Sequence, residues 1–369
     1  MTVNHTLPAA VEAIEHGIDV GVHIGAQLYV SQRGEIIADL AVGEARAGVP
    51  MTPEHLVLWM SSTKPITAIA IAQQIERGKL DLDARVARYM PDFGQHGKDR
   101  ITLRHLLTHT AGFRPPRFDF PQDDWQTIIA KICATPIERD WEPGEKAGYH
   151  THTSWFILAE LVQQVTGERY SDYVRSHIFE PIGMNDSHIG MPVEQYDNYG
   201  DRIAIMMNTA KGERKPFIEP AVHKAWATQA RPGGNGYGPT RELARFYEML
   251  LAGGEYNGQR IVSHDTVRLF TARHRVSLYD HTFRHTMDWG LGFMVDSKRY
   301  GRDTVPYGFG DHASQRAFGH SGSQSSTAFV DPAHSLVVAL VCNGMPGEAK
   351  HQRRMRDILA AAYEDLNLA

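Results

Sequence analysis

Apolar residues recur at helical spacing over Leu7 to Glu15, which predicts a short amphipathic helix near the start of the chain. The period then changes. His23 to Ser31 and Glu35 to Val42 are strand-like runs, and Arg33-Gly34 between them predicts a tight turn, hence an antiparallel hairpin. A further strand-like run, Leu56 to Met60, precedes a helix over Thr63 to Arg77. Ile66, Ile69, Ala70 and Gln73 stand at helical spacing there, and Gly78 supplies the stop. From Leu80 to Pro232 helical runs alternate with loops rich in Pro, Gly and Asp. The clearest helices are Thr153 to Val165, closed by Gly167, and Ser171 to Phe179. Pro232-Gly233-Gly234-Asn235-Gly236 breaks the chain and Thr240 to Leu251 resumes as a helix. Strand signals return at Trp289 to Val295, Thr327 to Val330 and Leu336 to Cys342, and a last helix covers about Arg353 to Tyr363.

Strands near both ends, with helices between them, predict one sheet assembled from N- and C-terminal parts and carrying a large helical insertion. The expected organisation is an α/β domain built from residues 1–79 and 233–369, and a mostly helical domain over 80–232. No internal repeat or low-complexity tract interrupts it.

Composition changes this picture little. The chain has 369 residues, 42% hydrophobic and 22% charged, which is ordinary globular usage and enough for two joined domains. A net charge of −5 with the signs mixed, and no lysine- and arginine-rich run, disfavours nucleic acid or a polybasic membrane anchor as partner. No apolar stretch reaches the roughly 18 residues that would suggest a membrane span. Met1 to Ala10 lacks the basic and apolar regions of a secretory leader. Only Cys133 and Cys342 are present, far apart, so two buried thiols in a reducing, cytoplasmic setting are expected.

The candidate chemistry begins at Ser61-Ser62-Thr63-Lys64, the one Ser-x-x-Lys in the chain. Residues three apart on a helix share a face, so the lysine amine can lie over the serine hydroxyl. A helix start also offers unpartnered N–H groups to an oxyanion. A serine hydroxyl becomes a good nucleophile once a base takes its proton. Lysine can be that base when burial or nearby cations lower its pKa. The tetrapeptide alone also fits a capping serine followed by a first-turn lysine.

Three further segments bear on the choice. Ile101-Thr102-Leu103-Arg104-His105-Leu106-Leu107-Thr108-His109-Thr110-Ala111-Gly112 resembles a signature of the class C β-lactamase-like family. Pro143-Gly144 followed by Tyr149-His150-Thr151 resembles that family's Tyr-x-Asn element. Gly319-His320-Ser321-Gly322-Ser323 resembles its third element, Lys-Thr-Gly in the lactamases and often His-x-Gly in the esterases. The resemblance runs from about Gly21 to Tyr363. It implies a β-lactamase/transpeptidase-like α/β (α+β) fold, an antiparallel sheet flanked by helices beside a mostly helical domain, with the active site between them. It also implies Ser61 as nucleophile, Lys64 as base and Tyr149 as proton relay. The backbone N–H groups of Ser61 and Ser323 would form the oxyanion hole, such donors being worth about 3–4 kcal/mol each.

Two departures from the pattern concern substrate. Thr151 replaces an asparagine able to bond an acyl amide, and His320 replaces a lysine that attracts a substrate carboxylate. Both point away from anionic lactams and toward neutral esters, as in the family VIII carboxylesterase branch. Ser321 and Gly322 would line the substrate site with His320 and Thr151, and Trp141, Tyr237 and Phe318 are candidates for pocket walls or for packing. Among the 20 histidines, His105/His109 and His150/His152 read as metal pairs only without context, since no Cys or carboxylate cluster accompanies them. Gly234-x-Gly236-x-Gly238 lacks the strand and ribose-binding acid of a nucleotide fold and reads as a flexible loop beside the site. Gly319-x-Ser321-Gly322 is not a hydrolase elbow, because position 323 is serine.

The reading is an esterase acting on a small-molecule ester or acyl substrate without cofactor or metal, and a homo-oligomer is compatible with it. A transacylase or amide hydrolase, including weak lactamase activity, uses the same acyl-enzyme. A non-catalytic penicillin-binding-like sensor is the reading of another class.

Overall fold

The computed structural model describes residues 7–369; the part of the leader reading that falls on residues 1–6 lies outside them. The hairpin forms as the pattern predicts, β1 (Gly25–Gln32) against β2 (Glu35–Arg46), with Arg33 and Gly34 both at positive φ in the turn. That geometry matches the natural twist of two paired strands. β3 (Val49–Pro50) extends the edge. The remaining strands come from the C-terminal third: β4 (Met294–Val295), β5 (Phe318–Gly322), β6 (Ser326–Asp331) and β7 (Leu336–Cys342). All pair antiparallel in the order β4-β5-β6-β7-β1-β2-β3. The first and last long strands therefore meet at the centre, Leu28 opposite Leu340 and Val30 opposite Val338.

Both faces of this sheet are covered, which is why β7 is apolar at every position. Leu336, Val338, Leu340 and Cys342 face one core, with Leu28 and Val30. There α1 (Pro8–Asp19) packs beside the last helix, Glu348–Asp365, and the Asp365 carboxylate accepts from the first-turn N–H groups of Ala9 and Ala10. Val337, Ala339 and Val341 face the other core, beneath α2 (Lys64–Glu76) and the helix Thr240–Leu251. From Lys64 to Gln74 every residue of α2 is buried, because helices of the 80–232 segment, Thr153–Thr166 foremost, close over its far side. A helix apolar all round belongs in such an interior. Gly78, at φ 67°, follows its last residues as expected.

Some boundaries differ from the sequence pattern. Trp289–Val295 contributes only Met294–Val295 to the sheet, since Gly290 and Gly292 lie in a bend with Gly292 at positive φ. Ser171–Phe179 is a short α-helix, Tyr170–Val174, continued by one π-helical turn over Arg175–Phe179. Leu56–Met60 yields a strand of two residues, Val57–Leu58, paired with Gly236–Gly238. Among the described residues no helix is long and apolar enough to cross a membrane. Cys133 and Cys342 are both free, the second fully buried.

Candidate active site

Ser61 lies one step earlier than the α-helix itself, in a single 3-10 turn over Met60–Thr63 that leads into α2. The first N–H groups of such a turn have no partner within it. Met60, immediately before the serine, has φ 50°, an uncommon left-handed conformation for a side chain of its size. The turn is bolted to the sheet. Ser62 Oγ donates to the carbonyl of His320 at 3.0 Å, and Ser326 Oγ donates to the carbonyl of Trp59 at 2.6 Å. A Cβ on Gly322 would come within 2.2 Å of Ser326 Oγ and 2.5 Å of the Trp59 carbonyl. Gly322 is thus where β5 passes closest to the nucleophile turn, and it packs there rather than lining the cleft.

Lys64 Nζ stands 2.9 Å from Ser61 Oγ and 2.5 Å from the carbonyl of Gly233. The amine is fully buried, and burial alone holds its pKa well below the usual lysine range. In the neutral form one N–H donates to Gly233 and the lone pair faces the serine hydroxyl. The Gly233 loop is pinned by its own hydrogen bonds. Arg231 N–H donates to Asn235 Oδ1, and Asn235 Nδ2 donates to the carbonyls of Trp226 and Gln229.

Tyr149 presents its ring 5.1 Å from Lys64 Nζ and its hydroxyl to Ser61. Burial raises its pKa above the ordinary phenol value, the Ser61 hydrogen bond only partly opposing this. Its backbone is held by Asp280, which accepts from the N–H groups of Tyr149, Thr282 and Phe283 and is paired with the buried Arg275 at 3.1 Å. His109 packs against the Tyr149 ring at 4.6 Å, and its Nδ1 accepts from the His150 N–H.

His320 is buried beside Tyr149 and Trp289, and burial first, then Lys64, lowers its pKa to about 3. Its Nδ1 lies 2.7 Å from the Ser321 carbonyl, which can only accept, so Nδ1 carries the proton. Nε2 is then a buried lone pair with no protein partner. The histidine is therefore neutral for a stronger reason than its ordinary pKa.

Ser61, Tyr149, Thr151, His320, Ser321 and Ser323 line one cleft of about 470 Å³. Ser323 opens the turn after β5 rather than sitting on the strand. Phe283, Met294, Tyr307 and Glu348 also line it, and the sequence pattern singled out none of them. Phe283 and Tyr307 come from loops, Met294 from the short strand β4 and Glu348 from a helix start, and no periodicity at these positions points at a site. Asp280 had a usable signal, since an aspartate accepting from residues two and three further on is a turn signature. The Gly233 carbonyl had none.

Three aromatic candidates lie elsewhere. Trp141 covers Gly112, with its Nε1–H donating to the Thr110 carbonyl. Tyr237 points into a separate core with Leu56, Leu58 and Met191. Phe318 stacks edge-on with Phe293 in the main core. The paired histidines have local jobs: His105 completes the cap at Thr102, and His150 Nδ1 shares a 2.7 Å hydrogen bond with Ser154. Among the described residues no group of three or more His, Cys, Asp or Glu side chains is placed to hold a metal ion.

The sequence model of the Beta-lactamase family matches residues 11–363. An esterase/beta-lactamase, LipL, of Mycobacterium tuberculosis is 28% identical over 348 residues, covering 86% of this chain and 77% of that protein. An N-acetylmuramyl-L-alanine amidase of Bacillus subtilis is 27% identical, covering 90% and 79%. Among solved structures, a family VIII carboxylesterase superposes with a TM-score of 0.80 at 27% identity, covering 98% of this chain and 97% of that one. A penicillin-binding protein homologue from Caulobacter crescentus gives 0.78 at 29% identity, covering 96% and 97%.

Proposed function

The chain belongs to the Beta-lactamase family, a family of serine acyl-enzyme hydrolases, and from that premise we propose that it is a carboxylesterase with Ser61 as the acylated nucleophile. The observation that carries this reading is the 2.9 Å contact between Ser61 Oγ and a buried Lys64 amine whose pKa burial holds well below the usual lysine range. As Oγ attacks the ester carbon, its proton passes to the Lys64 lone pair. The carbonyl electrons move onto oxygen, facing the N–H groups of Ser61 and Ser323. Collapse breaks the bond to the alcohol, which takes a proton through the Tyr149 hydroxyl from the Lys64 ammonium. Water then attacks the acyl-serine, its proton passing along the same route to Lys64 and on to Ser61 Oγ as the acyl–oxygen bond breaks and the acid leaves.

Lys64 rather than Tyr149 is the base that takes the serine proton. Burial pushes the amine toward its neutral, basic form and the phenol toward its protonated form, so the amine is the better placed of the two to accept a proton. Ester rather than lactam as substrate is supported by Thr151 and by the neutral His320, which offer neither an amide partner nor a cation. The similarity to an esterase/beta-lactamase and to a carboxylesterase agrees with it. Transfer to an alcohol or amine acceptor uses the same acyl-enzyme and differs only in what enters the cleft after the first alcohol leaves.

Incubation with p-nitrophenyl esters of short and medium chains, followed by absorbance and intact mass, tests the assignment. Wild type is expected to release nitrophenol and carry an acyl adduct on Ser61. Ser61→Ala is expected to lose both, with a rate at least about 10³-fold lower. An equally active Ser61→Ala would remove the nucleophile.

A further inference from the structure

The two N–H groups that face the developing oxyanion are fixed in different ways. That of Ser61 belongs to the 3-10 turn before α2, which the sheet holds through Ser62 and Ser326. That of Ser323 opens the turn 323–325, which joins β5 to β6 beside the cleft. The last residue of this turn is secured by its neighbours in the sheet: the Ser325 carbonyl accepts from the Cys342 N–H at 2.8 Å. Its middle residue, Gln324, has φ 46°, a left-handed conformation that a side chain of this kind seldom holds unaided. What holds Gln324 comes from the last helix. Arg354 Nη2 donates to the Gln324 carbonyl at 2.8 Å and to the Gly344 carbonyl at 2.7 Å, while Nη1 donates to the Val22 carbonyl at 2.8 Å. One guanidinium thus ties the turn to the chain just after β7 and to the chain just before β1. The Gly347 N–H adds a second tie, donating to Gln324 Oε1 at 2.7 Å.

Arg354 is 6% exposed, and among the described residues no carboxylate pairs with it. Its remaining neighbours are Nδ1 of His23 and Nδ1 of His351, each 3.2 Å away. Burial first, then Arg354, holds both rings well below the usual histidine range, so neither adds a charge. A buried cation without a counter-ion is a costly way to fasten a turn, and packing alone does not call for one. A guanidinium, however, presents its donors in a rigid planar fork, and that geometry can fix several carbonyls relative to one another. We propose that Arg354 is the positioning residue of the oxyanion hole: its hold on the Gln324 carbonyl keeps the turn 323–325 in the shape that presents the Ser323 N–H to the substrate carbonyl oxygen. Arg354 does not line the cleft and touches no reacting atom, so it acts through the turn alone. This role rests on the Ser61 acyl-enzyme reading.

The test measures how strongly the enzyme prefers oxygen to sulfur at the oxyanion position. A p-nitrophenyl ester and its thiono analogue, with C=S in place of C=O, differ in the atom that meets the two N–H groups, and sulfur is the weaker acceptor. Their intrinsic reactivities cancel when variants are compared. Wild type is expected to favour the oxygen ester in kcat/KM by at least about 10²-fold, the scale of one oxyanion donor. Arg354→Met should cut that preference about tenfold, and should lower kcat on the oxygen ester with little change in KM. Arg354→Lys, which restores a donor but not the fork, should fall between the two. A ratio within one variant does not depend on how much of it folds, and Arg354→Lys carries the comparison where Arg354→Met yields no folded protein. An oxygen preference equal to that of wild type in the variant so compared, with acylation still on Ser61, overturns the role of Arg354 and leaves the esterase reading standing. Failure of wild type to turn over the oxygen ester, with Ser61 unlabelled, overturns both.

Discussion

At the residue scale the chemistry depends on one group being held in the wrong charge state for water. A lysine on a surface is protonated near neutrality, and a protonated amine cannot take a proton from serine. Burial of Lys64 disfavours the ammonium, so its titration moves well below that of an ordinary lysine. The sign follows directly. Activity needs the deprotonated amine, so kcat/KM should rise with pH and level off, with an inflection well below the ordinary lysine value. Tyr149 is shifted the opposite way and enters as a proton carrier. Tyr149→Phe is therefore expected to lower the plateau by about 10²-fold while leaving the inflection where it is. A pH profile of the variant that loses the inflection altogether would transfer the role of base to the phenol.

At the scale of elements the site is a contact between a 3-10 turn and a strand, and the small residues at that contact set the distances. Gly322 allows β5 to approach the Trp59 carbonyl and Ser326. Gly322→Ala should push the nucleophile turn off the sheet, separating the Ser61 and Ser323 amides. The expected result is a fall in kcat of about 10²-fold, the usual cost of misplacing a reacting group by an ångström. Steady-state kinetics beside a thermal melt would separate this from a loss of folded protein. The same contact explains what could be read in advance. Ser61 and Lys64 share one helix start and His320 lies on β5, whereas Tyr149 stands in the loop before the helix Thr153–Thr166, and it was the resemblance of their motifs to those of a known family that joined the four. Tyr237 and Phe318 were drawn in by nearness along the chain, but Tyr237 faces a different core, and Phe318 lies further along β5 against Phe293. Phe283, Tyr307 and Glu348 reach the cleft through tertiary contacts of loops, which leave no periodic trace.

For the molecule as a whole, the pairing of β1 with β7 is decisive, because it joins residues over 300 positions apart at the centre of the sheet. Strand-like runs near both ends made a sheet from both ends legible, and the packing then shows β7 buried on both faces. What the pattern left out was the burial of α2 on all sides, which only the packing of 80–232 upon it reveals. Contacts of such long separation form late, because the intervening loop must close first. A chain ending before Leu336 should therefore lack the central partner of β1. It is expected to show no cooperative unfolding transition and to be digested rapidly by protease, and a cooperative melt of that fragment would refute the central role given to β7.

The cap that Asp365 places on Ala9 and Ala10 has one more implication. It makes the first and last helices neighbours, so the chain from Leu7 onward is nearly a closed ring in space. Bridging those ends with a short flexible peptide and cutting the ring at the exposed Lys211-Gly212-Glu213 bend would reorder the gene without rearranging a strand. In such a circular permutant the two parts of the sheet would be synthesised one directly after the other, and their meeting would no longer wait for everything between.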